Sequence, residues 1–425
     1  MRILFTTYPD KPIFQPMVPL AWALRTAGHE VRVASQPEFT DHITQAGLTA
    51  VPVGRNRHTW RMAELDTEVT EEERPGLPEP FRAAVTDPAE LDFAALRDGY
   101  EHHIQLWYKL DNFPMISGLL DYAVGWQPDL VLWEPNTYAG AIAAKACGAA
   151  HGRVLWSIDV FGVARERYLR LNEAQPDGER HDPMAQWLGP YARRHGDGFT
   201  EDLVTGQFTI DQLPPSLSMR ADLHYLPMRY IPYNGRAALP AWLRKRPDRP
   251  RVALTLGVTA TDRFAGYAAD VGAILASLAD LDIEVVATIA EAHHDRLGAV
   301  PDNVRLIPFA PLHDLAATCS VVINHAGPGT FLTTAANAVP QLTVPWDFDE
   351  PELARRAAAQ GGSLTVPANL ATGEAVRGQL QRLLSEEVFA DRACALRAEM
   401  KAMPSPNELV GQLEELTAKH RTAGT

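Results

Sequence analysis

Short apolar runs alternate with helix-like stretches along this chain, and the alternation happens twice. The first series reads "RILFTT", "EVRVAS", "LTAVPV", "DLVLWE" and "GRVLWS", all within the first 157 residues. Runs this short, flanked by Gly and polar residues, suit strands buried on both faces of a parallel sheet. After "ILFTT" comes "VPLAWALRTAG", in which Pro19 suits a first helical turn and Gly28 a C-terminal cap. Strand, crossover helix and strand therefore follow in order. The rhythm restarts at "RVALTLG" and continues through "IEVVATI", "NVRLIPF", "SVVINHAG" and "QLTVP". Two α/β units with separate parallel sheets are predicted. The Pro-, Arg- and aromatic-rich stretch 226–250 reads as the linker between them.

A chain of 425 residues exceeds one ordinary domain of ~150 residues, so two domains are expected. An apolar fraction of 46% with 22% charged residues provides for a packed core. The net charge of −14, without a long Lys/Arg block, excludes a nucleic-acid stripe. Neither a signal h-region nor an 18-residue apolar stretch occurs, so no membrane span and a cytoplasmic location are expected. The 3 cysteines lack C-x-x-C spacing and suggest neither disulfides nor zinc. Residues 57–115 and 163–212 break the rhythm. Each reads as a surface excursion or, alternatively, as the wall of an acceptor pocket or a partner-binding face.

The most informative stretch is "NHAGPGT", residues 324–330. It joins a strand to a helix at the carboxyl edge of a parallel sheet, where α/β folds bind ligands. Gly327 and Gly329 allow close backbone approach, and Thr330 is the expected N-cap. The helix start favours an anion. His325 adds a side-chain donor, so a diphosphate is the predicted guest. Gly257 and Thr259 in "LTLGVTATD" would form a second anion-facing loop. Phe309, Ala310 and Leu312 in "FAPLHDL" could wall a nucleobase. "VPWDFDE" brings Trp346, Asp347, Asp349 and Glu350 to a strand-end loop, where carboxylates can accept from sugar hydroxyls.

Taken together, "HAGPGT", "VPWDFD", "DLVLWEP", "MRYIPYNG", "PDNVR", "PSPNELVGQLEEL" and the opening "RILFTTYPDKPIFQPMVPLAWALRTAGHEVRVAS" resemble the GT-B glycosyltransferases of antibiotic biosynthesis, in their macrolide and anthracycline branch. The resemblance covers nearly the whole chain. It implies two Rossmann-like domains facing across a cleft: an acceptor domain (1–225), the linker (226–250), a nucleotide-sugar domain (251–404) and a terminal helix (405–425) packing back on the first. It also implies a dTDP-sugar donor, a hydrophobic aglycone acceptor, inversion at the sugar, and neither metal nor cofactor. Carried over by position, His325, Gly327, Gly329 and Thr330 would hold the diphosphate, Asp349 the sugar, and the 308–312 stretch the thymine. Some members of this branch work with a P450-like activator, for which the excursion after residue 57 is the candidate docking surface; a homodimer is left open.

One departure stands out. The family's usual base is a histidine on the loop after the first strand, and alignment on "VPLAWA" puts Ile13 at that position. A substitute carboxylate is therefore expected. Glu134 in "LWEPN", at a strand's carboxyl end, is the first candidate, with Asp10 and Asp159 in reserve. A less demanding, C-nucleophilic acceptor and a catalytically silent binding protein remain alternatives. A nicotinamide dehydrogenase is excluded by the missing G-x-G-x-x-G, and P-loop, zincin and serine-hydrolase motifs are absent. The adjacent pairs His102/His103 and His293/His294 lack metal-ligand spacing.

Overall fold

The computed structural model describes residues 1–56, 76–195, 198–257 and 269–421. The first sheet contains β1 (Arg2–Thr6), β2 (Glu30–Ser35), β3 (Thr49–Pro52), β4 (Leu130–Trp133), β5 (Ala150–Val154), β6 (Thr209–Asp211) and β7 (Tyr225–Pro227). Its order is β3-β2-β1-β4-β5-β6-β7, and every pairing is parallel. The second sheet contains β8 (Arg251–Thr255), β9 (Glu284–Thr288), β10 (Val304–Ile307), β11 (Val321–Asn324), β12 (Gln341–Thr343) and β13 (Ser363–Thr365). Its order is β10-β9-β8-β11-β12-β13, again parallel throughout. These are two Rossmann-like domains. Central strands such as β4 are buried along their whole length, as helices on both faces require.

Local chemistry sets the helix ends. Pro19 lies in the first turn of Val18–Thr26, and Gly28 takes φ +92° just past its C-cap. Ser405 and Glu408 form a reciprocal capping box at the start of Pro406–His420. That terminal helix buries Leu409, Val410, Leu413 and Leu416 among Ile3, Leu20 and Val31 of the first domain. The chain thus crosses between domains twice, and the crossings touch: Arg229 N donates to Pro404 O at 2.7 Å.

The structure corrects the reading of two segments. Residues 225–227 form an edge strand, so the linker starts later than residue 226. The segment 163–212 is not a surface excursion. Its helix Pro183–His195 buries Met184, Trp187 and Leu188, with Trp187 stacked 5.9 Å from Tyr108. Arg165, fully buried, is held there by Asp182 (2.6 Å) and Glu201 (2.7 Å). Among the described residues no helix is long and apolar enough to cross a membrane.

Candidate functional site

The carboxyl edges of the two sheets meet, and the loops leaving them build the site. On the second domain, β11 runs into the turn 325–327 and the helix Pro328–Ala336. Asn324 Oδ1 accepts from Ala326 N at 2.8 Å, fixing the turn, and Ala326 takes φ +66°. Gly327, not Thr330, is the N-cap; Pro328 begins the helix, and its fixed φ moves the start ahead of the threonine. Thr330 is then the third helical residue. The first-turn N–H groups of Gly329 and Thr330 have no intrahelical partner and present a positive end to a ligand.

His325 stands over this helix start because two glycines make room for it. A Cβ on Gly257 would lie 2.6 Å from its Cε1, and one on Gly327 2.1 Å from its Nε2. Gly257, at φ +76°, therefore backs the imidazole ring. Thr259, assigned to the same anion-facing loop, lies outside the described residues. Burial pushes the His325 imidazole down to about 4, so the free ring is neutral. Its Nε2 lies 3.7 Å from Glu350 Oε1.

Glu350 is less open to a sugar than its position on the loop suggests. Its Oε2 accepts from Trp346 N and Asp347 N, both at 3.0 Å, which ties the acid to its own loop. Burial raises its pKa well above the usual carboxylate range. The Trp346 ring packs against the second domain's core. Asp349, only 3% exposed, accepts from the Ser157 hydroxyl of the first domain, and burial pushes its pKa up to about 6. Phe309, after β10, is 54% exposed next to the buried Ala310, and Leu312 opens the helix Leu312–Ala316. An exposed aromatic ring offers a flat apolar surface to a base.

On the first domain, Glu134 follows β4 and is fully buried. It accepts from Tyr8 N (3.2 Å), Asn136 N (2.8 Å) and the Thr137 hydroxyl. Burial nevertheless pushes its pKa up to about 7, and the charge of nearby Asp10 acts in the same direction. Asp10 precedes the short helix Lys11–Phe14, and Ile13 within that helix is buried. Asp159 is fully committed: Arg153 holds both its oxygens (2.7 and 3.2 Å), the Tyr225 hydroxyl donates at 2.7 Å, and Gly162 N at 2.8 Å.

Sequence reasoning missed Ser157 and an aromatic group that crosses the cleft. Phe348 of the second domain sits 5.5 Å from Phe81, 5.9 Å from Phe161 and 6.3 Å from Trp156, ring centre to ring centre. "WSIDVF" follows β5 as "EPN" follows β4, so the strand-end argument that selected Glu134 would have selected Trp156 and Ser157.

Comparison with known proteins fits this geometry. Residues 22–257 match the erythromycin biosynthesis protein CIII-like N-terminal domain, and residues 272–416 the corresponding C-terminal domain. The 10-deoxymethynolide desosaminyltransferase of Streptomyces venezuelae is 45% identical over 426 residues, covering 99% of this chain and 98% of the relative. The aklavinone 7-beta-L-rhodosaminyltransferase of Streptomyces galilaeus is 44% identical, covering 99% and 97%. The crystal structure of glycosyltransferase VinC in complex with dTDP superposes with a TM-score of 0.87 at 38% identity, covering 99% of this chain and 100% of that one. The chain belongs to the erythromycin biosynthesis protein CIII-like family and is a GT-B-fold, nucleotide-sugar-dependent glycosyltransferase.

Proposed function

We propose that the protein transfers a deoxysugar from a dTDP-sugar to a hydroxyl of a polyketide-type aglycone, with inversion, in antibiotic biosynthesis. The observation that carries this reading is the His325 ring, seated on two glycines beside a helix start whose first-turn N–H groups have no intrahelical partner and no side-chain cap. The VinC structure holds dTDP, and the relatives' names describe deoxysugar transfer to macrolide and anthracycline aglycones.

In this mechanism His325 and the Gly329 and Thr330 N–H groups take the diphosphate, while Phe309, Ala310 and Leu312 face the thymine. Asp349 accepts from the sugar hydroxyls, and Glu350 holds the loop that presents it. Glu134 removes the proton from the acceptor hydroxyl, as Ile13 cannot. The acceptor oxygen then bonds to the anomeric carbon from the face opposite the diphosphate. The bond from that carbon to the phosphate oxygen breaks, and the helix N–H groups and His325 stabilise the departing charge. One displacement inverts the centre. Asp10, which faces Glu134 electrostatically, is the next candidate for the base; Asp159 is already neutralised by Arg153.

The test is thermal stabilisation by a panel of dTDP- and UDP-sugars, followed by turnover with the stabilising donor. A donor at 100 times its Kd stabilises by about 2.7 kcal/mol. Equal stabilisation by both nucleotide series overturns the thymidine assignment. Binding without turnover on any aglycone, with or without an activator, establishes the catalytically silent reading instead. A C-linked product reassigns the acceptor as a carbon nucleophile.

We infer that a P450-like activator binds the first domain. The observation favouring it is a set of exposed apolar side chains, Leu106 and Trp107 within the π-helical turn Ile104–Tyr108 and Leu110 and Phe113 in the helix that follows it. These side chains lie in the excursion assigned to docking, of which residues 57–75 are outside the described set. Leu110→Asp with Phe113→Asp should abolish complex formation and any rate gain from the activator while basal turnover persists. An unchanged complex overturns this surface, and self-association through the same residues marks it as a dimer contact.

A further inference from the structure

The loop Trp346–Asp349 of the second domain is tied to the first domain at three adjacent points. Gly76 N donates to Trp346 O at 2.9 Å, and Gly76 pairs with Asp347 in a parallel bridge. The Phe348 ring enters the group formed by Phe81, Trp156 and Phe161. Ser157 donates to Asp349. Phe348 holds φ +41°, in the left-handed region disfavoured for a bulky residue, and this backbone turn delivers the ring.

Two of these ties use groups that the reaction needs for other purposes. Asp349 carries the carboxylate assigned to the sugar, and Ser157 offers it one hydroxyl, as a sugar would. The aromatic group lies at the carboxyl edge of β5, on the acceptor side of the cleft. A buried carboxylate that takes only the Ser157 hydroxyl and its own backbone N–H, with no cation against it in the described contacts, makes a weak permanent joint, because its desolvation is poorly offset. Such a contact exchanges readily for a better one.

We propose that this loop is an internal plug: in the free protein Ser157 stands in for a sugar hydroxyl on Asp349, and Phe348 stands in for an apolar ring of the acceptor among Phe81, Trp156 and Phe161. This rests on the donor and acceptor assignments above. Each substrate then enters by displacing one of the protein's own groups. Because the displaced groups are neighbours in sequence, release of one loosens the other, so donor and acceptor bind with positive coupling. Thymidine diphosphate lacks the sugar to be transferred and can reach His325 with the plug in place.

The test compares the parent with Phe348→Ala, Phe348→Leu, Ser157→Ala and Ser157→Thr. Three quantities are measured: hydrogen exchange at the Gly76 amide, fluorescence of anilinonaphthalene sulfonate as an apolar probe, and thymidine diphosphate affinity by calorimetry. Phe348→Ala should raise Gly76 exchange roughly tenfold or more, since opening becomes easier, and should brighten the probe. Phe348→Leu, which refills the space, should bind the probe like the parent. Ser157→Ala should accelerate exchange and Ser157→Thr, which keeps the hydroxyl, should restore it; this pair carries the test if Phe348→Ala folds poorly. Thymidine diphosphate affinity should stay within about twofold throughout, as the diphosphate loop is untouched. Loss of nucleotide binding in every protein, parent included, overturns the donor-site reading and with it the plug that rests on it, whereas normal nucleotide binding with unchanged exchange in both alanine variants overturns the plug alone.

Discussion

Replacing Glu134 with glutamine separates its proposed role as the base from its effect on folding, because the burial that would suit it to catalysis also makes the fold pH-dependent. The carboxyl is fully buried, and its pKa rises from the ordinary 4.5 to about 7. Since the folded value lies above the unfolded one, the fold favours the protonated acid. The associated stability is whole below about pH 4.5 and is lost as pH rises through about 7. At about 1.4 kcal/mol per pH unit, the loss is roughly 3 kcal/mol. Glutamine cannot ionise, so urea melts between about pH 5 and 8 should show this slope in the parent and its absence in Glu134→Gln. The amide retains one acceptor oxygen, but its NH2 group deprives either Asn136 N or Tyr8 N of a partner, a pH-independent cost of about 1–3 kcal/mol. If Glu134 is the base, turnover measured by product chromatography falls by ~10²-fold or more, with donor affinity kept. Stability curves that run parallel across the pH range refute the burial argument. Turnover within a few-fold of the parent refutes the base assignment and makes Asp10→Asn the next variant.

His325→Ala should lower donor affinity and turnover together by ~1.5–3 kcal/mol, the worth of a hydrogen bond to a charged group, with the fold retained; unchanged affinity by calorimetry removes His325 from the donor site. Gly257→Ala should weaken donor binding without touching the donor, since the new Cβ falls 2.6 Å from the imidazole and φ is +76°; parent-like affinity would show that the ring's seat is unimportant. Asp159→Asn leaves the Arg153 guanidinium buried without its charge partner, and chemical denaturation should show a loss of about 3–5 kcal/mol. A stable Asp159→Asn protein with abolished turnover would instead place Asp159 in catalysis.

The alternation of apolar runs was enough to read both parallel sheets, because strands buried on both faces leave an unbroken apolar signature. The three-residue strands β6, β7 and β13 were not legible. Thr209, Asp211 and Ser363 are polar, and their burial arises only from the neighbouring strands. His325 could be singled out because it stands among small residues at a strand-to-helix turn. The part played by Gly257 could not, since it depends on a ring 68 positions away that meets it only in the folded domain. Ser157 and Asp349 are 192 residues apart and meet because two sheet edges face each other, a fact that no local pattern contains. Thr330 misled for a local reason: its capping preference was outweighed by Pro328 two positions earlier.

The double passage of the chain between domains has a mechanical consequence. A single tether permits swivel in every direction, whereas two tethers lying side by side, as Arg229 and Pro404 do, confine the motion to folding about one line. The halves should open like covers on a two-pin spine. A protease cut in the 235–245 stretch should therefore sever the backbone without releasing either half, because the second passage and the apolar anchorage of Leu409, Leu413 and Leu416 still hold them together.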